Sequence, residues 1–182
     1  ANGRAVPRSR EFESRPRHQN LSYQAVRDGL MFKIKNFNEK DASALVEIFD
    51  EAFSEELAKG MPPVTAERFL ELSKSPGVKI FVAEDHDEPV GYLAMTEGNV
   101  ESPSQVHMVA VKKSLRRRGI GKKLVSKALE HAKTLGRKKV KLFTRPWNVA
   151  MSNLCIELGF IPEAHLKREY LNEDLVLYSA FF

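Results

Sequence analysis

The sequence has almost no cysteine and no long apolar run. Cys155 is the only cysteine among 182 residues, which excludes an internal disulfide and a zinc site built from several cysteines. No apolar stretch approaches the roughly 18–20 residues that a membrane-spanning helix requires. Residues 1–17 are basic, but no apolar segment follows them as it would in a secretory signal. These absences predict a cytoplasmic protein without a metal site and without a membrane partner.

The composition is that of one globular domain preceded by a basic segment. Hydrophobic residues make up 42% and charged residues 29% of the chain, which is close to the globular average. Residues 1–30 hold six arginines against three acidic residues and so supply +3 of the net charge of +5. We expect a domain over residues 31–182. We expect residues 1–30 to be a flexible extension or the product of a misplaced start codon, because Met31 opens the first patterned segment and residues 11–14 can be encoded by the end of a transfer-RNA gene.

Apolar periodicity predicts an alternation of strands and helices. Helical spacing follows Asp41 and Thr65, each of which is a suitable N-cap, and it recurs over residues 120–135 and 149–158. The polar turn at residues 85–88 separates two strand-like runs and indicates a β-hairpin. The predicted strands are 31–37, 78–84, 89–97, 105–111, 138–144 and a closing pair after residue 160.

The junction between the fourth strand and the long helix carries a phosphate-binding pattern, RRRGIG at residues 116–121. A helix N-terminus presents unpaired N–H groups to an anion, glycines let the backbone approach it, and arginines add forked donors. The alternatives are a solvated basic helix start or a nucleic-acid patch that includes Lys122 and Lys123. Nucleic acid is not the expected partner, because the chain lacks interleaved aromatics, zinc-ligand spacing and a helix-turn-helix pattern. The spacing of a dinucleotide-binding fingerprint is also missing.

Two separated motifs resemble the GNAT N-acetyltransferase superfamily, and the resemblance extends from Met31 to Phe182. The first is VAVKKSLRRRGIGKKLVSKAL, and the second is Asn148 followed by Leu158-Gly159-Phe160. The resemblance implies an α+β (mixed α/β) fold in which a mostly antiparallel twisted sheet is flanked by about four helices. Its fourth and fifth strands are expected to run parallel and to splay apart, which leaves a cleft between them.

The resemblance also implies acetyl-CoA as the co-substrate. The backbone of the fourth strand would bond the pantetheine arm, the following turn would hold the pyrophosphate, and an asparagine that caps the next helix would contact the coenzyme. The coenzyme-binding residues expected on this basis are Val109, Ala110, Val111, Arg116, Arg117, Arg118, Gly119, Ile120, Gly121, Lys122 and Asn148.

His107 is the candidate general base, because many family members carry a glutamate near this position and an imidazole suits proton abstraction near neutral pH. In the alternation of the fourth strand it is expected to share a face with Gln105, Val109 and Val111. The alternative is a hydrogen-bonded sheet histidine without a chemical role. Glu84, at the end of a neighbouring strand, is a reserve candidate, although a glutamate at a hairpin end is usually only solvated.

Cys155 is the candidate acid for the leaving thiolate. Counting from Asn148, the tyrosine that is frequent in the family falls at Cys155. A thiol can donate a proton, but cysteine is also a commonly buried small hydrophobe. Both interpretations stay open at this stage.

The implied reaction is direct transfer of the acetyl group to a primary amine. Met151 stands where many small-molecule acetyltransferases have alanine, and in this the chain looks similar to GNAT domains that acetylate protein lysines. We therefore favour a protein lysine or N-terminal amine over a polyamine or an amino acid. A coenzyme-binding regulatory domain without activity and a nucleic-acid-binding protein are the alternatives from other classes. A homodimer is compatible with the sequence.

Overall fold

The computed structural model describes residues 32–182, so the proposed extension and the Met31 start lie outside the described residues. Within this range, seven strands and five α-helices follow one another along the chain. The strands are β1 Phe32–Asn36, β2 Val78–Asp85, β3 Glu88–Thr96, β4 Ser104–Val111, β5 Lys139–Thr144, β6 Ile161–Tyr170 and β7 Glu173–Phe181. The helices are α1 Ala42–Ala52, α2 Ser54–Ala58, α3 Ala66–Lys74, α4 Ile120–Thr134 and α5 Val149–Glu157.

All seven strands form one sheet in the order β1-β2-β3-β4-β5-β7-β6. Every neighbouring pair is antiparallel except β4 and β5, which run parallel. The predicted mixed fold with a mostly antiparallel sheet is therefore confirmed. The helix count exceeds the expected four, because Ser54–Ala58 forms a short helix of its own after α1.

Two apolar cores cover opposite faces of the sheet. The α1 core joins Leu45 and Phe49 to sheet residues such as Tyr92. The α4 core joins Leu124 of α4 to sheet residues such as Leu93 on the other face. Adjacent residues of one strand therefore serve different cores, as the two-residue period of a strand requires. In residues 32–182 no helix has the length and apolar character that crossing a membrane requires.

The helix starts follow the predicted caps with one exception. Thr65 Oγ1 accepts a hydrogen bond from the backbone N–H of Arg68 at 3.3 Å, as an N-cap does. Asp41 stands at the N-cap position of α1 as predicted, but its side chain makes no capping hydrogen bond to the helix. A short 3-10 turn over Glu39–Asp41 runs directly into α1, so the Asp41 carboxylate instead accepts from the Asn38 N–H at 2.9 Å.

The parallel strands β4 and β5 pair over only three residues each. Ser104–Val106 lies beside Val140–Leu142, and beyond this point β4 continues to Val111 without a β5 partner. The register of β4 against β3 also shifts here, because Met95 pairs with Val106 and Ala94 pairs with Met108. His107 is thus the extra residue of a β-bulge, which bends the strand. The expected splay of the two strands is confirmed, and a cleft opens where they separate.

Candidate active site

The cleft has a volume of about 750 Å³ and lies between the free end of β4, the start of α4 and the start of α5. Its walls combine apolar side chains with several cations near the α4 N-terminus. A volume of this size falls in the range of small-molecule and cofactor sites. At the α2 side of its opening, the cleft is also lined by Phe53, Ser54, Glu55 and Glu56.

Gly119 ends the basic turn and begins α4 with a left-handed backbone. Its φ is +83°, and Arg117 two residues earlier has φ +63°. Glycine adopts such a conformation without steric cost. No side chain caps α4, so the first backbone N–H groups of the helix are left for an anion. The turn that the sequence pattern singled out therefore has the geometry of a phosphate site.

The cations of this turn have different surroundings. Arg116 is held against the strand, because its Nε donates to the Val111 carbonyl oxygen at 3.2 Å. Lys122 lines the cleft and pairs with Glu157 at 3.1 Å. Lys123 turns away, with its Nζ 4.8 Å from the ring centre of Phe32. The basic residues of the turn therefore do not form one continuous cationic face.

Ten of the eleven expected coenzyme residues line the cleft, and Arg118 does not. Those that do are Val109, Ala110, Val111, Arg116, Arg117, Gly119, Ile120, Gly121, Lys122 and Asn148. Asn148 also caps α5, since its Oδ1 accepts from the Met151 N–H at 3.1 Å. Asn148 thus caps the helix and lines the cleft, as expected. Its contact with the coenzyme stays a prediction.

Gly91 is a contributor that the sequence analysis missed. A Cβ at this position would lie 2.8 Å from the Ala110 carbonyl oxygen, 3.2 Å from Val111 Cγ2 and 3.3 Å from Ile120 Cγ2. The missing side chain therefore lets β3, β4 and the start of α4 pack closely beneath the cleft. A glycine inside a strand, here in PVGYLAM, is the available sequence signal for such an approach.

His107 lies at the point where β4 leaves β5, two residues before the cleft lining begins. Its Nδ1 is 3.3 Å from the Gln105 side-chain amide nitrogen and its Nε2 is 3.1 Å from Thr96 Oγ1. An amide nitrogen can only donate, so Nδ1 accepts and the ring hydrogen on Nε2 is donated to Thr96. The ring is exposed on one side, yet the surrounding chain desolvates it enough to lower the pKa of His107 below 6.5.

The prediction of which residues share a strand face with His107 is partly wrong. It contacts Gln105 as expected, but Val109 and Val111 pack against the α4 core, as does Val106. Val106 and Val109 are an odd number of residues apart, so simple alternation would place them on opposite faces. The bulge at His107 resets the alternation, and a bulge cannot be read from one strand alone because it depends on pairing with β3.

Glu84 lies outside the cleft and is held in an ion-pair network at the β1–β2 edge. Its side chain is only 3% exposed and pairs with Lys33 at 2.9 Å and with Lys35. Lys35 also pairs with Asp41 at 3.0 Å. The hydrogen bonds from Lys35 and Lys33 lower the pKa of Glu84, which makes it a weaker base. The structure therefore does not bring this reserve candidate to the site.

Cys155 is fully buried in the α4 core and does not line the cleft. Burial raises the pKa of its thiol to about 12. The side chain is packed like a small hydrophobe on the inner face of α5. Of the two interpretations left open by the sequence, the surroundings of Cys155 favour the structural one.

Comparison with known proteins decides the family. A model of the acetyltransferase (GNAT) family matches residues 42–160, well over half of the chain. The chain belongs to the GNAT acetyltransferase family. The resemblance seen in the two motifs is thereby confirmed, and so is the assignment to the acyltransferases. Members of this family use acetyl-CoA as the acetyl donor.

Relatives of this GNAT domain agree in fold. An uncharacterized N-acetyltransferase of Methanocaldococcus jannaschii is 35% identical over 85 residues, which are 44% of this chain and only 38% of that protein. A putative acetyltransferase from Salmonella typhimurium, yncA, solved with its cofactor acetyl-CoA, has a TM-score of 0.73 at 20% identity and covers 82% of this chain and 93% of its own. The ribosomal-protein-S18-alanine N-acetyltransferase from Escherichia coli has a TM-score of 0.69 at 18% identity, with 83% and 94% covered.

One side of the cleft is formed by parts of the chain that the motifs do not reach. Glu55 and Glu56 of α2 line it together with Trp147, which is 55% exposed. α2 is too short to produce a helical period, so the sequence pattern does not predict it. Glu55 and Glu56 give this side of the cleft an acidic border.

Proposed function

We propose that this GNAT protein transfers the acetyl group of acetyl-CoA directly to a primary amine, and that the amine is a protein lysine or an N-terminal amine. One observation carries the proposal: the cleft at the β4–β5 separation leads to the uncapped N-terminus of α4. The unpaired backbone of β4 can hydrogen-bond the amides of a pantetheine arm. The free N–H groups at the start of α4 can bind the pyrophosphate at the end of that arm.

The binding roles follow from the lining. Free backbone groups between Val109 and Val111 would hydrogen-bond the pantetheine amides. Backbone N–H groups from Arg117 to Lys122 would hold the pyrophosphate, with the Arg117 guanidinium adding charge. Acetyl-CoA brings the thioester carbonyl that the amine attacks. A backbone N–H near Val109 is the donor we propose for the oxygen of that carbonyl as negative charge develops on it.

We assign the removal of the amine proton to His107. The lowered pKa keeps the imidazole neutral at pH 7, and Nδ1 becomes a proton acceptor when the Gln105 amide releases it. Because His107 does not line the cleft, the proton would reach it through a water molecule. The departing thiolate would take its proton from solvent, because buried Cys155 cannot reach the cleft.

The acceptor assignment is supported by two features. Glu55 is exposed at the opening, where its carboxylate would attract a cationic amine, whereas the charge of Glu56 is paired with Arg145. Met151 lines the cleft and packs against the α4 core, and it is the residue by which the chain resembles lysine-acetylating GNAT domains. The acidic border would also suit a polyamine, so spermidine is the competing acceptor. A cytoplasmic location and a homodimer stay predictions.

Release of coenzyme A thiol from acetyl-CoA by the full chain tests the proposal. Three acceptors separate the alternatives: a lysine-free peptide with a free N-terminus, an N-terminally blocked peptide with one lysine, and spermidine. Turnover of a peptide is the expected result, and turnover of spermidine alone would replace the acceptor class. Acetyl-CoA binding without turnover of any acceptor would favour the regulatory alternative. Gly119→Glu is the matched inactive control.

A further inference from the structure

Arg145 joins the end of β5 to the start of β7 and to α2, and α2 lines the cleft. It follows β5 by one residue, and its side chain is only 13% exposed. Its Nη1 donates to Glu56 Oε1 of α2 at 3.1 Å, and its Nε donates to Glu173 Oε2 at the start of β7. Lys59, just after α2, donates to the other oxygen of Glu173. Segments far apart in the sequence thus meet at one guanidinium.

Aromatic rings restrict the same guanidinium from two sides. Its central carbon lies 5.8 Å from the ring centre of Trp147 and 5.9 Å from that of Tyr170. The remaining nitrogen, Nη2, is buried and has no hydrogen-bond partner among the described residues. A planar fork with two carboxylates and two flanking rings has little freedom to rotate.

The apolar anchor of α2 is small. This helix spans five residues and buries none of them fully, and Leu57 is its one residue that packs, partly buried, against the α1 core. In the turn between β6 and β7, Leu171 and Asn172 both have positive φ, 51° and 58°. That turn carries Glu173 to Arg145. The ion pairs are therefore the main link between α2 and the β6–β7 turn.

We propose that Arg145 is a positioning residue that fixes the acceptor opening by clamping α2 to the β6–β7 turn. Glu56 and Trp147, two of its contacts, line the cleft, so a change at Arg145 reaches the opening directly. The inference rests on the proposed function, since it gives the clamped segments the task of placing the amine. Arg145 acts through its neighbours and does not touch the reacting atoms.

Hydrogen exchange of the full chain tests the clamp without any acceptor. Arg145→Lys keeps the charge but loses the fork, and Glu173→Gln removes one carboxylate while it leaves Arg145 in place. Both variants should speed exchange about tenfold in α2 and in residues 169–174 together, because local opening frees both sides of the clamp. Exchange in α4 and the Kd for acetyl-CoA should change less than about twofold.

Arg137→Lys is the matched control, because Arg137 Nε donates to the Glu97 carbonyl oxygen at 2.9 Å near the start of β5, at the opposite end from the cleft. It should leave exchange in α2 unchanged. If Arg145→Lys does not fold, Glu173→Gln alone decides. Unchanged α2 exchange in Glu173→Gln, or faster exchange in only one of the two segments, would overturn the clamp.

Kinetics add a readout that a purely stabilising residue would not move. With whichever acceptor the thiol-release test identifies, Arg145→Lys should raise the acceptor KM about five- to tenfold while kcat and the KM for acetyl-CoA stay near wild type. A fall in kcat with an unchanged acceptor KM would contradict positioning. If the wild-type chain does not bind acetyl-CoA, the proposed function is refuted, while the hydrogen-exchange test of the clamp remains valid.

Discussion

The two halves of β4 carry different tasks. Residues Ser104–Val106 pair with β5, and Gln105 and Val106 also pair with β3. Ser104 is fully buried, and its Oγ donates to the Glu97 carbonyl oxygen at 2.6 Å. Residues Val109–Val111 pair with β3 alone and line the cleft. One strand is thus enclosed over one half and lines the cleft over the other half, where we propose that it binds the coenzyme. Substitutions should accordingly separate free energy of unfolding from coenzyme binding and turnover.

His107 stands at the boundary of the two halves, and its removal should give the largest loss of rate. His107→Gln should lower kcat about 100-fold, the usual contribution of a general base, and leave the Kd for acetyl-CoA near wild type. Because burial lowers the pKa of His107, the acid limb of kcat/KM should fall below pH 6.5 and vanish in the variant. A kcat/KM profile from pH 5 to 9 measures both effects. An unchanged limb and rate would make His107 structural.

Gly91 tests whether the free half depends on close packing beneath it. Gly91→Ala places a Cβ 2.8 Å from the Ala110 carbonyl oxygen, which should weaken acetyl-CoA binding about tenfold and cost about 1–3 kcal/mol of stability. Gly77→Ala is the control, since its φ is +72° with no atom within 4 Å. It should lose stability without loss of binding. Equal acetyl-CoA affinities in calorimetry for both variants would contradict the packing argument.

A substitution at Glu84 should change stability but not coenzyme binding, because its ion-pair network lies at the β1–β2 edge away from the cleft. Glu84→Gln leaves Lys35 without one partner and should lower the free energy of unfolding by about 2 kcal/mol at pH 7, less than for a fully enclosed pair because Lys33 is 67% exposed. Binding of acetyl-CoA should not change.

The pH dependence of that loss has a definite sign. The pKa of Glu84 is lower in the folded chain than its ordinary 4.5, so its stabilisation is present above pH 4.5 and is lost as the pH falls through the folded value. Urea unfolding at pH 7 and pH 4 should show the wild-type advantage shrinking in acid. A constant difference at both values would argue against the ion pairs.

Cys155 should show the smallest effect, on stability alone. Cys155→Ala removes a fully buried sulfur and should cost about 1–2 kcal/mol, while kcat stays near wild type. Cys155→Ser retains a proton donor but buries a hydroxyl, so it should be less stable than the alanine variant. Thermal unfolding and turnover measure the two effects. A kcat that falls in the alanine variant and returns in the serine variant would restore the acid role.

Local pattern was enough to predict the features that depend on adjacent residues. The alternation of strands and helices and the Thr65 cap follow from short-range chemistry, and so does the glycine-containing turn at the start of α4. The β-bulge at His107 depends on pairing with β3, and α2 contacts Arg145 through Glu56, 89 residues away in the sequence. Such features require the register and the tertiary contacts, so single-sequence reasoning missed the partner of the Asp41 side chain and placed the face of His107 incorrectly.

Calorimetric titration of acetyl-CoA into the full chain tests the central claim most directly. Wild type should bind acetyl-CoA, and the double variant Gly119→Glu/Gly121→Glu should lose binding while it remains folded by circular dichroism. The added carboxylates would stand at the start of α4, where they repel a phosphate and where Gly119 needs its φ of +83°. Absence of binding by the folded wild type, or equal binding by the double variant, would contradict the coenzyme site at the α4 N-terminus.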